Sequence, residues 1–250
     1  MTTDPFSGST AIVTGASRGF GRAISASLVA RGTHVVGVAR DRSALDEVQD
    51  RLGPSFVGLA ADVTDPELAP QLVAVHRPQL LVLNAGATPP AATIQDQTWD
   101  GFSTNWHTDV RHAFEFTKAA LRAPLAAGAT VIAVSSGAAR MGSPLGGGYA
   151  GAKATIGLIS YYAQAESDRM SLGIRFVALL PKLTGDTALG STFVDAYAAR
   201  AGTDRASFLD QAGPALTTEQ VGTAVVELAG DVGGGAGSYL LTAEGLRALA

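Results

Sequence analysis

The sequence contains no cysteine among its 250 residues, and only three of its residues are lysines. The absence of cysteine excludes disulfides, thiolate nucleophiles and cysteine-ligated metal sites. The four histidines are not spaced as metal ligands, so we predict no metal site. No Gly-x-x-x-x-Gly-Lys-Ser/Thr segment is present, which argues against a P-loop nucleotide site.

Long apolar runs and an excess of basic residues are also missing. Apolar runs such as 176–180 are far shorter than the roughly 18 residues that cross a bilayer, so we expect no membrane contact. A net charge of −4 has the wrong sign for a nucleic-acid partner. Residues 1–8 lack the basic and apolar regions of a signal peptide, which favours a cytoplasmic location. With 46% apolar and 16% charged residues, we expect one globular domain spanning 1–250.

Short apolar runs alternate with helical stretches along the chain. Predicted strands cover 10–14, 34–39, 56–60, 80–83, 130–135, 174–180 and 239–241. Predicted helices cover 21–31, 43–52, 66–75, 110–126, 150–171 and 218–229. The continuous apolar character of several strands favours a parallel sheet covered on both faces. The alternation predicts a Rossmann-type, doubly wound α/β fold with a parallel sheet and three layers.

Two stretches interrupt this alternation. Residues 183–215 follow a predicted strand and have weak periodicity, and ligands of such sheets bind beyond the carboxyl ends of the strands. We therefore predict a substrate loop there. The glycine-rich run 233–237 is interpreted as a flexible turn.

The segment Thr-Gly-Ala-Ser-Arg-Gly-Phe-Gly at 14–21 follows the first predicted strand and opens the first helix. Glycine lets a backbone approach a pyrophosphate closely, and a helix N-terminus offers free N–H groups. The spacing of Gly15, Gly19 and Gly21 therefore predicts a dinucleotide site. The alternative is a tight turn that binds nothing.

The second predicted strand ends in Ala39 and Arg40 rather than in an acidic residue. A carboxylate at this point usually binds the ribose hydroxyls of NAD, whereas arginine accommodates the 2′-phosphate of NADP. Arg18 in the glycine segment could reach the same phosphate. We therefore favour NADP(H) over NAD(H), although the neighbouring Asp41 and a purely solvated Arg40 remain alternatives.

Tyr149 and Lys153 are four residues apart, which places them on one face of a helix. A nearby ammonium favours the phenolate form of a tyrosine and suits it to acid–base chemistry near neutral pH. An ordinary helix-face pair is the alternative. Small and turn-forming residues separate Tyr149 from Ser135 and Ser136, so the chain can fold back and bring a serine beside the tyrosine.

Taken together, these segments resemble the short-chain dehydrogenase/reductase family in its single-domain form of about 250 residues. The resemblance covers nearly the whole chain and rests on the order and spacing of several segments. These are Thr14–Gly21, Asp62-Val63, Asn84-Ala85-Gly86, Asn105, Ser136, Tyr149 and Lys153.

The resemblance implies a catalytic set. Tyr149 corresponds to the general acid/base, and Lys153 to the residue that binds the nicotinamide ribose and favours the phenolate. Ser136 corresponds to the donor that holds the substrate carbonyl, since the adjacent Ser135 should point the other way. Asn105 corresponds to a residue that steadies a water linked to the lysine.

The resemblance also implies a cofactor-binding set. In that set Asp62 bonds near the adenine, Val63 packs beside it, and Asn84 and Gly86 line the cofactor. The complete set is Gly15, Ser17, Arg18, Gly19, Phe20, Gly21, Arg40, Asp62, Val63, Asn84, Ala85, Gly86, Tyr149, Lys153, Pro181 and Thr184.

The chain departs from the family pattern after the predicted strand 174–180, where it reads Pro181-Lys182. Lys182 follows where glycine is common, and it either contacts a cofactor phosphate or acidic substrate or points to solvent. Thr184 and Thr187 are both candidates for a cofactor contact. The aromatic residues Trp99, Phe102 and Trp106 are expected to serve in packing, or to border the pocket.

The resulting hypothesis is an NADP(H)-dependent oxidoreductase that transfers a hydride between the nicotinamide and a carbonyl or alcohol. The alternatives are a catalytically silent protein that senses NADP(H), and an isomerase or lyase on the same scaffold. Small-to-medium apolar carbonyl compounds are the default substrates. Apolar helix faces at 110–126 and 150–171, together with the resemblance, indicate a homodimer or homotetramer.

Overall fold

A computed structural model describes residues 6–231 and 237–249. Its centre is an eight-stranded sheet with the spatial order β3-β2-β1-β4-β5-β6-β7-β8. The strands are β1 (Thr10–Thr14), β2 (His34–Ala39), β3 (Phe56–Ala60), β4 (Leu80–Leu83), β5 (Thr130–Val134), β6 (Arg175–Pro181), β7 (Ser238–Thr242) and β8 (Gly245–Leu249). Neighbouring strands from β3 to β7 pair in parallel, and β8 pairs antiparallel to β7.

Helices connect the strands and cover both faces of the sheet. They are α1 (Gly19–Ala30), α2 (Arg42–Leu52), α3 (Leu68–His76), α4 (Trp99–Asn105), α5 (Arg111–Arg122), α6 (Ala138–Met141), α7 (Gly147–Arg169), α8 (Ala188–Arg200), α9 (Arg205–Ala212) and α10 (Thr218–Gly230). A single π-helical turn, Trp106–Val110, joins α4 to α5. The predicted Rossmann-type fold, with its largely parallel sheet, is confirmed.

Alternate residues of the strands point to opposite faces of the sheet and pack in two separate cores. The sheet therefore forms the middle of three layers, with helices on either side. In β1, Val13 packs in a core that includes Ile24 of α1. Its neighbour Ile12 packs in the opposite core, which includes Phe116 of α5. All of these side chains are fully buried, as expected for parallel strands between two helical layers.

Several predictions need correction. Residues 183–215, predicted to be a substrate loop, contain the two helices α8 and α9. Trp99 and Trp106, expected to pack or to border the pocket, begin α4 and the π-helical turn and are 74% and 40% exposed. The predicted turn at 233–237 lies largely outside the described residues. No helix in the described ranges is long and apolar enough to cross a membrane.

The fold gathers the predicted site residues at the carboxyl ends of the strands. The strand order reverses between β1 and β4, and such a point opens a crevice for ligands. The Thr14 hydroxyl joins the two strand ends there: it donates to the carbonyl oxygen of Val82 (3.2 Å) and accepts from the backbone N–H of Asn84 (2.9 Å). The crevice is thus held by hydrogen bonds independent of any ligand.

Candidate active site

The glycine segment makes a tight turn between β1 and α1. Gly15 and Gly19 have φ of 68° and 52°, which favours glycine because it has no Cβ. A Cβ on Gly21 would lie 2.1 Å from the Gly15 carbonyl oxygen, so no other residue fits there. The Asn84 side chain donates to the Thr14 carbonyl at 3.0 Å and braces the turn. The turn therefore presents the free N–H groups at the start of α1 towards the crevice.

Two arginines flank this turn. Arg18 precedes α1, Arg40 follows β2, and both are exposed. Within the described part of the chain, neither guanidinium forms an ion pair. β2 ends in the buried Ala39, so the strand end itself supplies no carboxylate. The rim is thus suited to an anionic group.

Asp62 lies beyond the end of β3. Its carboxylate accepts from the backbone N–H and the hydroxyl of Thr64, at 2.9 and 2.8 Å. These hydrogen bonds, and then the charges of Arg40 and Arg111, lower the pKa of Asp62 below its ordinary value. A fixed, ionised acceptor therefore stands beside the crevice, and the neighbouring Val63 is buried.

Ser136 and Tyr149 line one cavity, and Lys153 lies buried behind the tyrosine. The Lys153 ammonium is 5.6 Å from the centre of the Tyr149 ring. Ser135 points to α7, where its hydroxyl donates to the Lys153 carbonyl at 2.7 Å. Ser136 accepts from the Ala138 N–H at 3.2 Å and is half-buried. Of the two serines, Ser136 is the one whose hydroxyl hydrogen has no acceptor among the described residues.

The start of α7 is fixed by close packing against α4. A Cβ on Gly148 would lie 1.9 Å from the Phe102 carbonyl oxygen, so the helices can approach only at a glycine. Tyr149 follows at once and lies in the first turn of α7. The contact therefore sets the position of the tyrosine relative to β5 and the cavity.

Asn105 is buried at the end of α4, next to the π-helical turn. Its side-chain N–H group donates to the Ala87 carbonyl (2.8 Å) and to Asp109 Oδ1 (3.2 Å). The Asn105 Oδ1 atom has no hydrogen-bond partner in the described structure. A buried acceptor without a partner is a natural position for a water or a ligand donor.

Sequence reasoning missed Asp109. Its Oδ2 lies 3.1 Å from the Lys153 ammonium, and both side chains are almost completely buried. The same ammonium donates to the Val134 carbonyl at 3.1 Å. The spacing of Asn105 and Asp109, four residues, was the available signal, because it places both on one helical face.

Two pKa shifts follow from this burial. Burial alone would lower the pKa of the Lys153 ammonium, but the charges of Asp109 and Tyr149 outweigh it, and the pKa is raised. Burial, and then the charge of Lys153, lower the pKa of His112 to about 3. At neutral pH the lysine is therefore charged and His112 is neutral.

A cavity of about 340 Å³ lies beyond the ends of β5 and β6. Four aromatic rings follow one another along its wall: Tyr149, Phe193, Tyr197 and Phe208, with centroid separations of 6.1, 6.3 and 6.3 Å. Phe20 and Pro181 also line it. Its lining combines these apolar side chains with polar ones, among them Ser136, Lys182 and Thr184.

The candidates after β6 have internal partners. The Lys182 ammonium donates to the Ala212 carbonyl at 3.1 Å, and it forms no ion pair within residues 6–231 and 237–249. The Thr184 hydroxyl lines the cavity but donates to the Leu216 carbonyl. Thr187 caps α8, and its methyl group would be 3.3 Å from a Cβ on Gly19. Thr187 therefore lies nearer the glycine turn than Thr184 does.

Comparison with known proteins agrees with this architecture. A family model described as short chain dehydrogenase matches residues 9–197. The chain belongs to the short-chain dehydrogenase/reductase family. It is 32% identical over 236 residues to the 3-oxoacyl-[acyl-carrier-protein] reductase FabG of Salmonella typhimurium, covering 90% of this chain and 91% of the relative. The protein of that name from Escherichia coli gives the same identity and coverage. An uncharacterized short-chain type dehydrogenase/reductase of Sinorhizobium fredii is 31% identical over 173 residues, 68% of each chain.

This short-chain dehydrogenase/reductase is thus an oxidoreductase of the carbonyl/alcohol type. Its predicted site residues fall into two groups in space. Phe20, Ser136, Tyr149, Pro181 and Thr184 border the cavity. The glycine turn, with the remaining candidates at the ends of β2, β3 and β4, forms the adjoining crevice. Lys153 lies beneath the junction of the two, close to Asn105.

Proposed function

We propose that the protein is an NADP(H)-dependent oxidoreductase in which Tyr149 is the general acid/base. The observation that carries the proposal is the placement of the Ser136 and Tyr149 hydroxyls in one cavity, with the buried Lys153 ammonium 5.6 Å from the tyrosine ring. A sensor that binds a dinucleotide without turnover has no need of this arrangement. The chemistry therefore favours catalysis over binding alone.

Each side chain has a defined task in carbonyl reduction. Ser136 donates a hydrogen bond to the substrate oxygen and orients it. Tyr149 donates its proton to that oxygen as the carbonyl becomes an alcohol, and in alcohol oxidation its phenolate accepts the proton. Lys153 provides the positive charge that stabilises the phenolate. The bound nicotinamide supplies or accepts the hydride.

The crevice fits a phosphorylated dinucleotide. The pyrophosphate would lie at the start of α1, where Gly21 leaves no room for a side chain. Arg18 and Arg40 would bind the 2′-phosphate, because they are exposed, near the glycine turn, and outside the ion pairs of the described ranges. The absence of a carboxylate at the end of β2 supports NADP(H) over NAD(H).

The aromatic wall supports apolar carbonyl compounds as substrates. Phe193, Tyr197 and Phe208 offer ring faces next to the reacting end of the cavity, and burial of apolar area would drive binding. The similarity to 3-oxoacyl-[acyl-carrier-protein] reductases favours a second candidate, reduction of 3-oxoacyl thioesters. Both candidates place a carbonyl oxygen between Ser136 and Tyr149.

The test compares Tyr149→Phe with Tyr161→Phe, an equal change at an exposed position of the same helix. NADPH oxidation is followed by absorbance with a panel of aryl and alkyl ketones and with an acetoacetyl thioester. We expect Tyr149→Phe to lose turnover by a factor of about 100 or more while it still binds NADPH. Turnover retained in Tyr149→Phe overturns the acid/base assignment. Tight NADPH binding without turnover of any carbonyl in the unaltered protein supports the sensor instead.

A further inference from the structure

The active-site lysine is held by a second buried charge, which the proposed chemistry does not use. The Lys153 ammonium lies between the Asp109 carboxylate and the Val134 carbonyl, each at 3.1 Å. The side chains of Lys153 and Asp109 are 6% and 1% exposed. Taking two charges out of water is costly, and such a pair is kept only when its geometry is good and its other hydrogen bonds are made.

The backbone after β4 is shaped around Asp109. Ala87 donates its N–H to Asp109 Oδ1 at 2.8 Å, and Asn105 donates to the same oxygen at 3.2 Å. A Cβ on Gly86 would lie 2.7 Å from Asp109 Oδ2, so only glycine lets the carboxylate come this close. Two elements therefore converge on this acid of the π-helical turn: the turn after β4 and the end of α4.

The two carboxylate oxygens have separate partners. Oδ1 accepts both N–H groups, while Oδ2 faces the lysine alone. The other titratable groups close to the ammonium are Tyr149 on α7 and His112 on α5, and β5 contributes only the Val134 carbonyl. His112 is neutral above about pH 3, since burial and the lysine lower its pKa. Asp109 is thus the carboxylate that pairs with Lys153 in the described structure.

We propose that Asp109 is a positioning residue for Lys153, which draws the ammonium towards α5 and offsets its positive charge so that Tyr149 stays protonated at neutral pH. The inference rests on the proposed role of Tyr149 as the acid. A lysine without a carboxylate partner exerts its full charge on the phenol and favours the phenolate. A lysine whose charge is offset by Asp109 favours the phenolate less strongly. The protonated phenol is the form that donates to a carbonyl, so the pair biases the site towards reduction.

The charge balance is tested by titrating Tyr149 in the protein without substrate or cofactor. Phenolate absorbance near 295 nm is recorded against pH, and the same curve for Tyr149→Phe is subtracted, which isolates this tyrosine from the other four. In Asp109→Asn, whose side chain has nearly the same shape and no charge, we expect the Tyr149 midpoint to fall by about 1 pH unit or more. An unchanged or higher midpoint overturns the proposal.

A matched control removes an acid elsewhere on the same helical segment. Asp100→Asn changes an exposed acid in the first turn of α4 and should leave the Tyr149 midpoint unchanged. A purely structural role for Asp109 would lower stability without shifting the tyrosine titration. If Asp109→Asn does not fold, the titration of the unaltered protein tests the proposal. We then expect Tyr149 to stay protonated through about pH 8. A Tyr149 phenolate at pH 7 overturns the proposal.

The kinetic consequence is a shift in pH dependence. With a substrate alcohol, kcat/KM rises with pH as Tyr149 loses its proton, so Asp109→Asn should move the rising limb to lower pH by the same amount. Absence of turnover in the unaltered protein would contradict the proposed function. The absorbance titration would remain interpretable in that case, because it needs no reaction.

Discussion

The Tyr197 hydroxyl lies 2.7 Å from the Ser143 hydroxyl and joins α8 to the loop that precedes α7. The same tyrosine stacks against Phe208 of α9, with an interplanar angle of 8°. Arg205 of α9 in turn pairs with Asp195 of α8 and donates to the Ser191 carbonyl at 3.3 Å. The two helices thus form one unit, and Tyr197 attaches it to the catalytic side of the cavity.

We expect Tyr197→Phe to weaken substrate binding more than it slows the chemical step. The change keeps the ring and removes the hydroxyl's hydrogen bond to Ser143 at 2.7 Å and its weaker one with the Leu145 N–H at 3.5 Å. A hydrogen bond of this kind is worth about 0.5–1.5 kcal/mol. KM for a good ketone should therefore rise roughly 2- to 10-fold, with a smaller change in kcat. Steady-state kinetics on Tyr197→Phe and Tyr161→Phe would check this. An unchanged KM would mean that the hydrogen bond does not hold the substrate cavity closed.

Gly21→Ala should weaken cofactor binding. The new methyl group would lie 2.1 Å from the Gly15 carbonyl oxygen and 2.7 Å from Asn84 Nδ2, so the turn must deform. We expect affinity for NADPH, measured by calorimetric titration, to fall about ten-fold or more. Gly157→Ala is the control, because a methyl group there meets nothing within 4 Å. Normal affinity in Gly21→Ala would exclude the glycine turn as the pyrophosphate site.

Arg40→Asp should change the choice between the two nicotinamide cofactors. A carboxylate beyond β2 can accept from ribose hydroxyls and repels a 2′-phosphate. We expect the ratio of NADPH to NADH affinity to fall at least ten-fold, about 1.4 kcal/mol. Arg51→Asp, the same change of charge at an exposed position of α2, should leave the ratio unchanged. If both variants bind like the unaltered protein, Arg40 does not contact the phosphate.

The strands were the most predictable part of the molecule. The bounds of β1 to β4 agree with the sequence prediction to the residue, because these strands are short, nearly continuous apolar runs ended by turn residues. β8 was missed, since it lies at the sheet edge and is largely exposed, with no apolar pattern. α8 and α9 were missed for lack of strong periodicity, although Thr187 and Asp204 cap their N-termini.

The candidate site was predictable where it depends on short spacings. The four-residue separation of Tyr149 and Lys153 predicts that they share a helical face. The spacing of Gly15, Gly19 and Gly21 predicts the tight turn before α1. The Asp109–Lys153 pair was not predictable in this way, because it connects the segment after α4 with the second turn of α7. The packing of α4 on α7 at Gly148 brings the two together, and that contact is a property of the folded chain.

The stability of the protein should fall as pH drops below about 6.5. His112 has a pKa of about 3 in the folded protein against an ordinary 6.5, so between these values the unfolded chain binds the extra proton. Each pH unit within the window costs up to about 1.4 kcal/mol. Urea denaturation between pH 7 and 5 should show this slope, and His112→Gln should reduce it. His107→Gln is the control, because His107 is exposed. If His112→Gln keeps the slope of the unaltered protein, the pH dependence of stability arises from another group.

The outer faces of α5 and α7 should mediate self-association. Phe114 on α5 is 51% exposed, and Leu158, Tyr161 and Tyr162 on α7 are 51%, 70% and 60% exposed. Contiguous exposed apolar side chains of this kind mark association surfaces, and closed symmetry favours dimers or tetramers. Light scattering coupled to size-exclusion chromatography should give a mass of two or four chains of 25.4 kDa. Leu158→Asp places a charge in the patch and should reduce that mass, whereas Val75→Asp, at an exposed apolar position on α3, should not. If the unaltered protein is a monomer, self-association does not explain these exposed side chains.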